Sequence, residues 1–299
     1  MIEEGEDNME RRRVVITGLG TVNPTGNTAA ESWAAVKEGQ CGIRAITRYD
    51  TSNMKVKLAG EIQGLDTGAL LGKRESKKMD RFTQLALIAA DECMRDAALD
   101  REAEEPGRCG VIFSSGIGGF ETVGEAHRRG SERGYDAVSP FVIPMIIANM
   151  AAGHMAIRYG FQGMCSCVVT ACAGGTNAVG DAFRHIRDGY AEVMLCGGEA
   201  AITPLAIGGF TAMKALCEGT DPRRASIPFD AERSGFVMGE GAGALLLEEL
   251  DHAQKRGAQI YAEVIGYGAN CDAYHITAPA PNGAGGAVCM AQALSDAGI

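Results

Sequence analysis

The stretch Cys165-Ser166-Cys167-Val168-Val169-Thr170-Ala171-Cys172-Ala173-Gly174-Gly175 reads as a strand over 165–169 that delivers Cys172 to the first turn of a helix. Amide N–H groups at a helix start lack intrahelical partners and carry partial positive charge, which favours a thiolate. A thiolate is a nucleophile. Ala171, Ala173, Gly174 and Gly175 are small and leave room for a bulky acyl group and for close backbone approach. The N–H of Cys172 itself is placed to help bind a developing oxyanion. The competing reading is an inert, buried thiol beside a helix start. The local pattern leaves both readings open.

Outward from this point, strands and helices alternate. Val14-Val15-Ile16-Thr17 is a strand that ends at Gly18-Leu19-Gly20, and a helix over 29–37 follows, stopped by Gly39. Met79, Phe82, Ala86, Ala89, Cys93 and Ala97, spaced by three and four, predict a helix over 77–98. A strand over 109–114 runs into the loop Ser115-Gly116-Ile117-Gly118-Gly119. The helix after Cys172 buries Ala178, Val179, Ala182, Phe183 and Ile186 and stops at Gly189. Strands over 192–196 and 242–248 complete a β-α-β-α order, so the class is α/β with a largely parallel sheet.

The run Val14-Val15-Ile16-Thr17-Gly18-Leu19-Gly20 has an echo in Ala262-Glu263-Val264-Ile265-Gly266-Tyr267-Gly268. Both are strands that end in Gly-x-Gly, so a second copy of the first unit begins near residue 260. The expected organisation is a disordered tail over 1–10, a first unit over 11–258 and the start of a second over 259–299. The last contains a helix over 284–297, and the chain is expected to be cut short there.

Composition excludes several classes. Of 299 residues, 46% are apolar and 22% charged, which describes a globular chain rather than a disordered one. A net charge of −10 argues against nucleic acid as a partner, because phosphate binding needs a basic surface. No apolar run long enough to cross a membrane is present, and the acidic start Met1-Ile2-Glu3-Glu4-Gly5-Glu6-Asp7 is no secretory signal. The ten cysteines therefore read as reduced thiols of a cytoplasmic protein. Cys165, Cys167 and His154 do not fit common zinc spacings, so no metal and no cofactor is expected.

Other motifs carry less. Gly18-Leu19-Gly20 follows a strand, but Asn23 stands where a dinucleotide loop needs a third small residue. Gly116-Ile117-Gly118-Gly119 lacks the Gly-Lys-Ser/Thr of a phosphate loop. The Gly-dense segment 226–243 reads as a scaffold loop, with Asp230, Glu232, Arg233 and Glu240 as a structural ion network.

Together, the Cys172 turn and the 226–243 segment resemble the β-ketoacyl-acyl carrier protein synthases, most closely the elongating type II condensing enzymes. The resemblance runs from Arg12 to Ile299. It includes Met79-Asp80-Arg81-Phe82, Ser139-Pro140-Phe141, Gly208-Gly209-Phe210 and Asp272-Ala273-Tyr274-His275-Ile276-Thr277-Ala278-Pro279. It implies a thiolase-like fold of five layers, α-β-α-β-α, and a homodimer paired through the strand before the nucleophile. It implies that Cys172 takes an acyl chain from acyl carrier protein. Decarboxylation of a malonyl-carrier protein then supplies the carbanion that attacks the Cys172 thioester. Chain-length-factor relatives lack this cysteine, so Cys172 favours a catalytic parent.

Ile117, Val142 and Phe210 match acyl-pocket positions of the family, with Val142 replacing a usual Phe. Lys73, Arg74, Lys77, Lys78 and Arg81 match a docking region for the acidic carrier protein; the competing reading is a solvated helix start. The family also uses two His, in Asn-Ala-His-Gly-Thr and Asn-His-x-Phe-Gly, and neither motif occurs among the five His here. His275 reads as a structural hydrogen-bonding residue. The 299-residue chain is thus expected to lack condensation activity by itself. Two alternatives stand beside this reading: a non-catalytic dimer partner, and a thiolase-like transferase acting on coenzyme A thioesters.

Overall fold

The computed structural model describes residues 11–299, so the expected tail over 1–10 lies outside the described residues. The chain begins with β1 (Val14–Val22), α1 (Ala29–Lys37), β2 (Ile43–Ala45), β3 (Leu58–Gly60), α2 (Thr67–Leu71), α3 (Lys73–Ser76) and α4 (Arg81–Ala97). Next come β4 (Cys109–Ser115), α5 (Phe120–Arg133), α6 (Val142–Ile146), α7 (Met150–Tyr159), β5 (Cys165–Ser166) and α8 (Gly174–Arg187). The last part holds β6 (Val193–Ala200), α9 (Pro204–Ala212), β7 (Gly241–Glu249), α10 (Leu250–Lys255), β8 (Ala262–Val264) and α11 (Ala284–Ala297).

Six strands form one sheet in the order β5-β4-β6-β7-β1-β8, and β2 pairs with β3 apart from it. β5, β4 and β6 run parallel to one another. β7 lies antiparallel between β6 and β1, and β8 runs antiparallel to β1 on its other side. Only β7 and β8 therefore oppose the common direction. The inserted β7 is the departure from the expected uniform β-α-β winding. It follows β6 through the long 213–240 segment and returns against it in continuous register, Val193 opposite Glu248 to Ala200 opposite Gly241.

Each face of the sheet carries its own core. On one face, α4 and α7 cover Val111, Phe113, Val193, Leu195 and Leu246. On the other, α8 buries Ala178, Ala182, Phe183 and Ile186 against Ile112, Met194, Cys196 and Leu247. The alternation of Val193, Met194, Leu195 and Cys196 between these clusters is the two-residue period of a strand covered on both sides. Fully buried side chains such as Phe82, Leu85 and Ile186 each contribute about 1.5–3 kcal/mol by leaving water.

The six apolar positions from Met79 to Ala97 are all buried, but the helix starts later than its spacing predicts. α4 begins at Arg81 because the Asp80 side chain caps it, accepting from Phe82 N–H. Asp80 also accepts from the N–H and Oγ1 of Thr122 on α5, which ties the two helices together.

The Gly-x-Gly echo has a structural counterpart. A Cβ on Gly20 would lie 2.0 Å from the Ala89 carbonyl oxygen of α4. One on Gly268 would lie 2.2 Å from the Cys289 carbonyl oxygen of α11. In both places a helix rests directly on backbone, and only a residue without Cβ permits that approach.

Candidate active site

The carboxyl ends of the three parallel strands β5, β4 and β6 lie side by side, the position where open α/β sheets form ligand crevices. A cavity of about 1170 Å³ opens there. β4 contributes Ser115 and the following Ile117, β6 contributes Glu199, α9 contributes Phe210, and the turn after β5 contributes Cys172. The cavity wall is mainly apolar. Cys172 is the only cysteine lining it among the described residues.

The strand before Cys172 is shorter than expected. β5 ends at Ser166, and Cys172 sits in a 3-10 turn, Ala171–Ala173, two residues ahead of α8 rather than in its first turn. Ala171 has φ +49°, a left-handed conformation that costs a non-glycine residue about 1–3 kcal/mol. This sharp turn leaves Cys172 exposed to the cavity mouth. No side chain caps the amino end of α8, so its first amides remain free of a side-chain partner.

Close packing fixes the turn. A Cβ on Gly174 would fall 1.9 Å from Ser114 Oγ of β4, so α8 approaches the sheet through backbone alone. Thr170 Oγ1 donates to Asn177 Oδ1 at 2.6 Å, and Asn177 Nδ2 donates to the Tyr267 hydroxyl. Tyr267 lies in the second Gly-x-Gly run, so the later part of the chain braces the Cys172 turn.

The remaining thiols divide by environment. Burial pushes Cys109 up to about 12 and also raises Cys93 and Cys196, which keeps all three as thiols. Burial likewise raises Cys165 and Cys167.

Ile117 and Phe210 both line the cavity. Phe210 packs edge-on against Phe236 with ring centres 5.4 Å apart. Val142 does not line it: it opens α6, which packs on α5, and its N–H bonds Ser139 O.

The basic cluster is also smaller than expected. Lys73, Arg74 and Lys77 are exposed, and Lys78 pairs with Glu75 at 2.9 Å. Arg81 turns inward, where Nε and Nη2 grip the fully buried Glu240 carboxylate. Its guanidinium is spent on that pair and leaves the surface patch. Glu240 is therefore not part of one network with Asp230 and Glu232, which pair with Arg224 instead. His275 has the structural role anticipated, with Nδ1 accepting from Thr277 and Ala278 N–H at 3.1 Å each.

Glu199 escaped the sequence reading. It is the penultimate residue of the otherwise apolar β6, half-buried at the cavity wall, with Oε1 buried and lacking a hydrogen-bond partner among the described residues. Burial pushes its carboxyl up to about 8. An acid closing an otherwise apolar strand is the signal that could have found it.

Residues 11–253 match the beta-ketoacyl synthase N-terminal domain, and residues 261–299 match its C-terminal domain. The chain belongs to the beta-ketoacyl synthase family. It is 48% identical to 3-oxoacyl-[acyl-carrier-protein] synthase 2 of Synechocystis sp., over 98% of this chain and 71% of that protein. It is 48% identical to the same-named protein of Staphylococcus aureus (strain COL), over 97% of this chain and 70% of the relative.

Solved ketosynthases share the fold. The complex of a type II PKS acyl-carrier protein with its ketosynthase bound to the hexaketide superposes with a TM-score of 0.87 at 34% identity, over 97% of this chain and 71% of that one. A beta-ketoacyl synthase from Burkholderia phymatum STM815 gives 0.86 at 32%, over 96% and 71%. The fold is thus that of the thiolase-like ketosynthases. The described residues supply α4 and α7, the sheet, and α8 as three successive layers of it. Among them, no helix is long and apolar enough to cross a membrane.

Proposed function

We propose that this chain carries the acyl-capture half of fatty-acid elongation by decarboxylative condensation. Cys172 attacks the thioester carbonyl of an acyl-carrier protein. The C–S bond to the carrier breaks, the carrier thiol leaves with a proton, and the acyl chain remains on Cys172. The uncapped amino end of α8 and the Cys172 N–H favour the negative charge that develops on the carbonyl oxygen. The Cys172 thioester is then attacked by the carbanion formed when malonyl-carrier protein loses CO2, giving a 3-oxoacyl chain and freeing the thiol. The His motifs that the family brings to the malonyl step do not occur in these 299 residues.

One observation carries the reading: a single cysteine, held in a strained turn, lines an apolar cavity of about 1170 Å³ at the carboxyl ends of parallel strands. Ile117 and Phe210 are proposed to hold the acyl chain. Lys73, Arg74, Lys77 and Lys78 are proposed to meet the acidic carrier protein. A homodimer is proposed through β5, which stands at the edge of the sheet and so offers unpaired backbone groups to a second copy. Residues 11–258 and 259–299 are proposed to be the two units of the chain.

The test is peptide mapping after incubation with an acyl-carrier thioester. Acylation confined to Cys172 supports the reading. Acylation spread over Cys41, Cys165 or Cys271, the other exposed thiols, contradicts it.

A further inference from the structure

Glu199 is a half-buried acid in the cavity wall, with Oε1 fully buried, that acyl capture does not use. It is the penultimate residue of β6, shares the cavity with Cys172, and holds Oε1 out of solvent without a hydrogen-bond partner among the described residues. The groups around it come from every neighbouring element. The Ser115 hydroxyl on β4 is close enough to favour its ionised form, and Asp80 at the head of α4 adds like charge. Cys167 beyond β5 and Cys172 in its turn are the nearby thiols. β7 offers only Ala242 at the same register. No basic group among the described residues acts on it. A carboxylate so placed would be stripped of water with no cation to compensate, so the site selects the neutral acid.

We propose that Glu199 is a specificity-determining residue whose carboxyl must be protonated for the Cys172 cavity to accept an apolar acyl chain. An entering chain displaces the water that an ionised Glu199 needs. Ionisation and acyl occupancy therefore oppose each other through a single coupling free energy. The group's displacement to about 8 puts this opposition just above neutral pH. The proposal rests on the acyl-capture reading, since the chain it concerns is the one bound for Cys172.

Two reagents with one reactive head separate the effects. Iodoacetamide reports the reactivity of the Cys172 sulfur, and N-dodecyl iodoacetamide reports reactivity plus entry of an apolar chain. The ratio of their rates at Cys172, followed by peptide mapping of the full chain, cancels the ionisation of the thiol. The ratio is expected to fall about tenfold between about pH 7 and pH 9, as one proton is lost. E199Q, which cannot ionise, is expected to show a flat ratio. S115A removes a nearby hydroxyl that favours the ionised form and is expected to move the midpoint upward, which serves if E199Q does not fold. A flat ratio in the unaltered protein, or an unchanged fall in E199Q, would overturn the proposal. Failure of both reagents to label Cys172 would instead overturn the capture reading, and the proposal with it.

Discussion

Thr170 and Asn177 are joined side chain to side chain by a 2.6 Å hydrogen bond that spans the turn carrying Cys172. The bond links the strand exit to the first half of α8, and Asn177 passes the restraint on to the Tyr267 hydroxyl. Asn177→Ala removes both partners' contacts at once. The expected cost is about 1–3 kcal/mol, since the buried Tyr267 loses its partner. Urea unfolding should show it, and acylation of Cys172 should slow as the turn loosens.

Gly174→Ala forces a methyl into Ser114 Oγ and Cβ. Overpacking of this kind costs about 1–3 kcal/mol. Ser114→Gly in the same chain removes the obstacle and should restore most of the loss. A denaturation double-mutant cycle would then give a coupling well above experimental error, and additivity would show that the contact is not the cause.

Arg81 and Arg74 are close in sequence and opposite in duty. Arg81→Ala leaves the buried Glu240 with Arg48, at 3.5 Å, as its remaining cation and the Ile62 N–H as a donor, and should cost about 3–5 kcal/mol. Arg74→Glu and Lys77→Glu, at exposed positions, should change stability by less than about 0.5 kcal/mol while weakening carrier-protein binding. Calorimetry of each variant with acyl carrier protein at two salt concentrations checks this, because the surface contribution is the one that salt screens.

Glu248 and His252 set opposite pH limits on the packing of α10 against β7. Arg256, His252 and Thr17 outweigh burial and hold the Glu248 carboxyl down at about 2. Its contribution of about 3 kcal/mol is present above its unfolded value near 4.5 and is lost as pH falls toward 2. The hydrogen bond to Glu248, with Glu104 on the other ring nitrogen, raises the His252 imidazole. That contribution is complete below the ordinary histidine value of 6.5 and is lost as pH rises through the raised one. Thermal unfolding of H252Q should therefore lose the decline in stability above neutral pH and keep the acid limb.

The residues that the sequence made legible are those whose signals are local. The helix over 29–37 and the helix over 284–297 have the bounds their patterns predict. The apolar face of α8 and the position of Cys172 after a parallel strand were readable for the same reason. α4 starts four residues after its apolar spacing predicts, because the Asp80 cap, a local signal in the sequence, sets it. The antiparallel insertion of β7 is a matter of which strand it joins, and no period of two records that. Arg81 read as a surface cation because its partner Glu240 is distant in sequence and is brought near only by the fold. Val142 opens α6 after the Ser139–Phe141 turn, and its match to the family's pocket position concerns the pocket end across the proposed dimer, which one protomer does not contain.

The most direct test is intact-protein mass spectrometry of the purified chain and its C172A variant after exposure to an acyl-carrier thioester. A single acyl adduct on the unaltered chain, absent from C172A, is the expected result. An adduct of equal extent on C172A would contradict the assignment of Cys172 as the acyl acceptor.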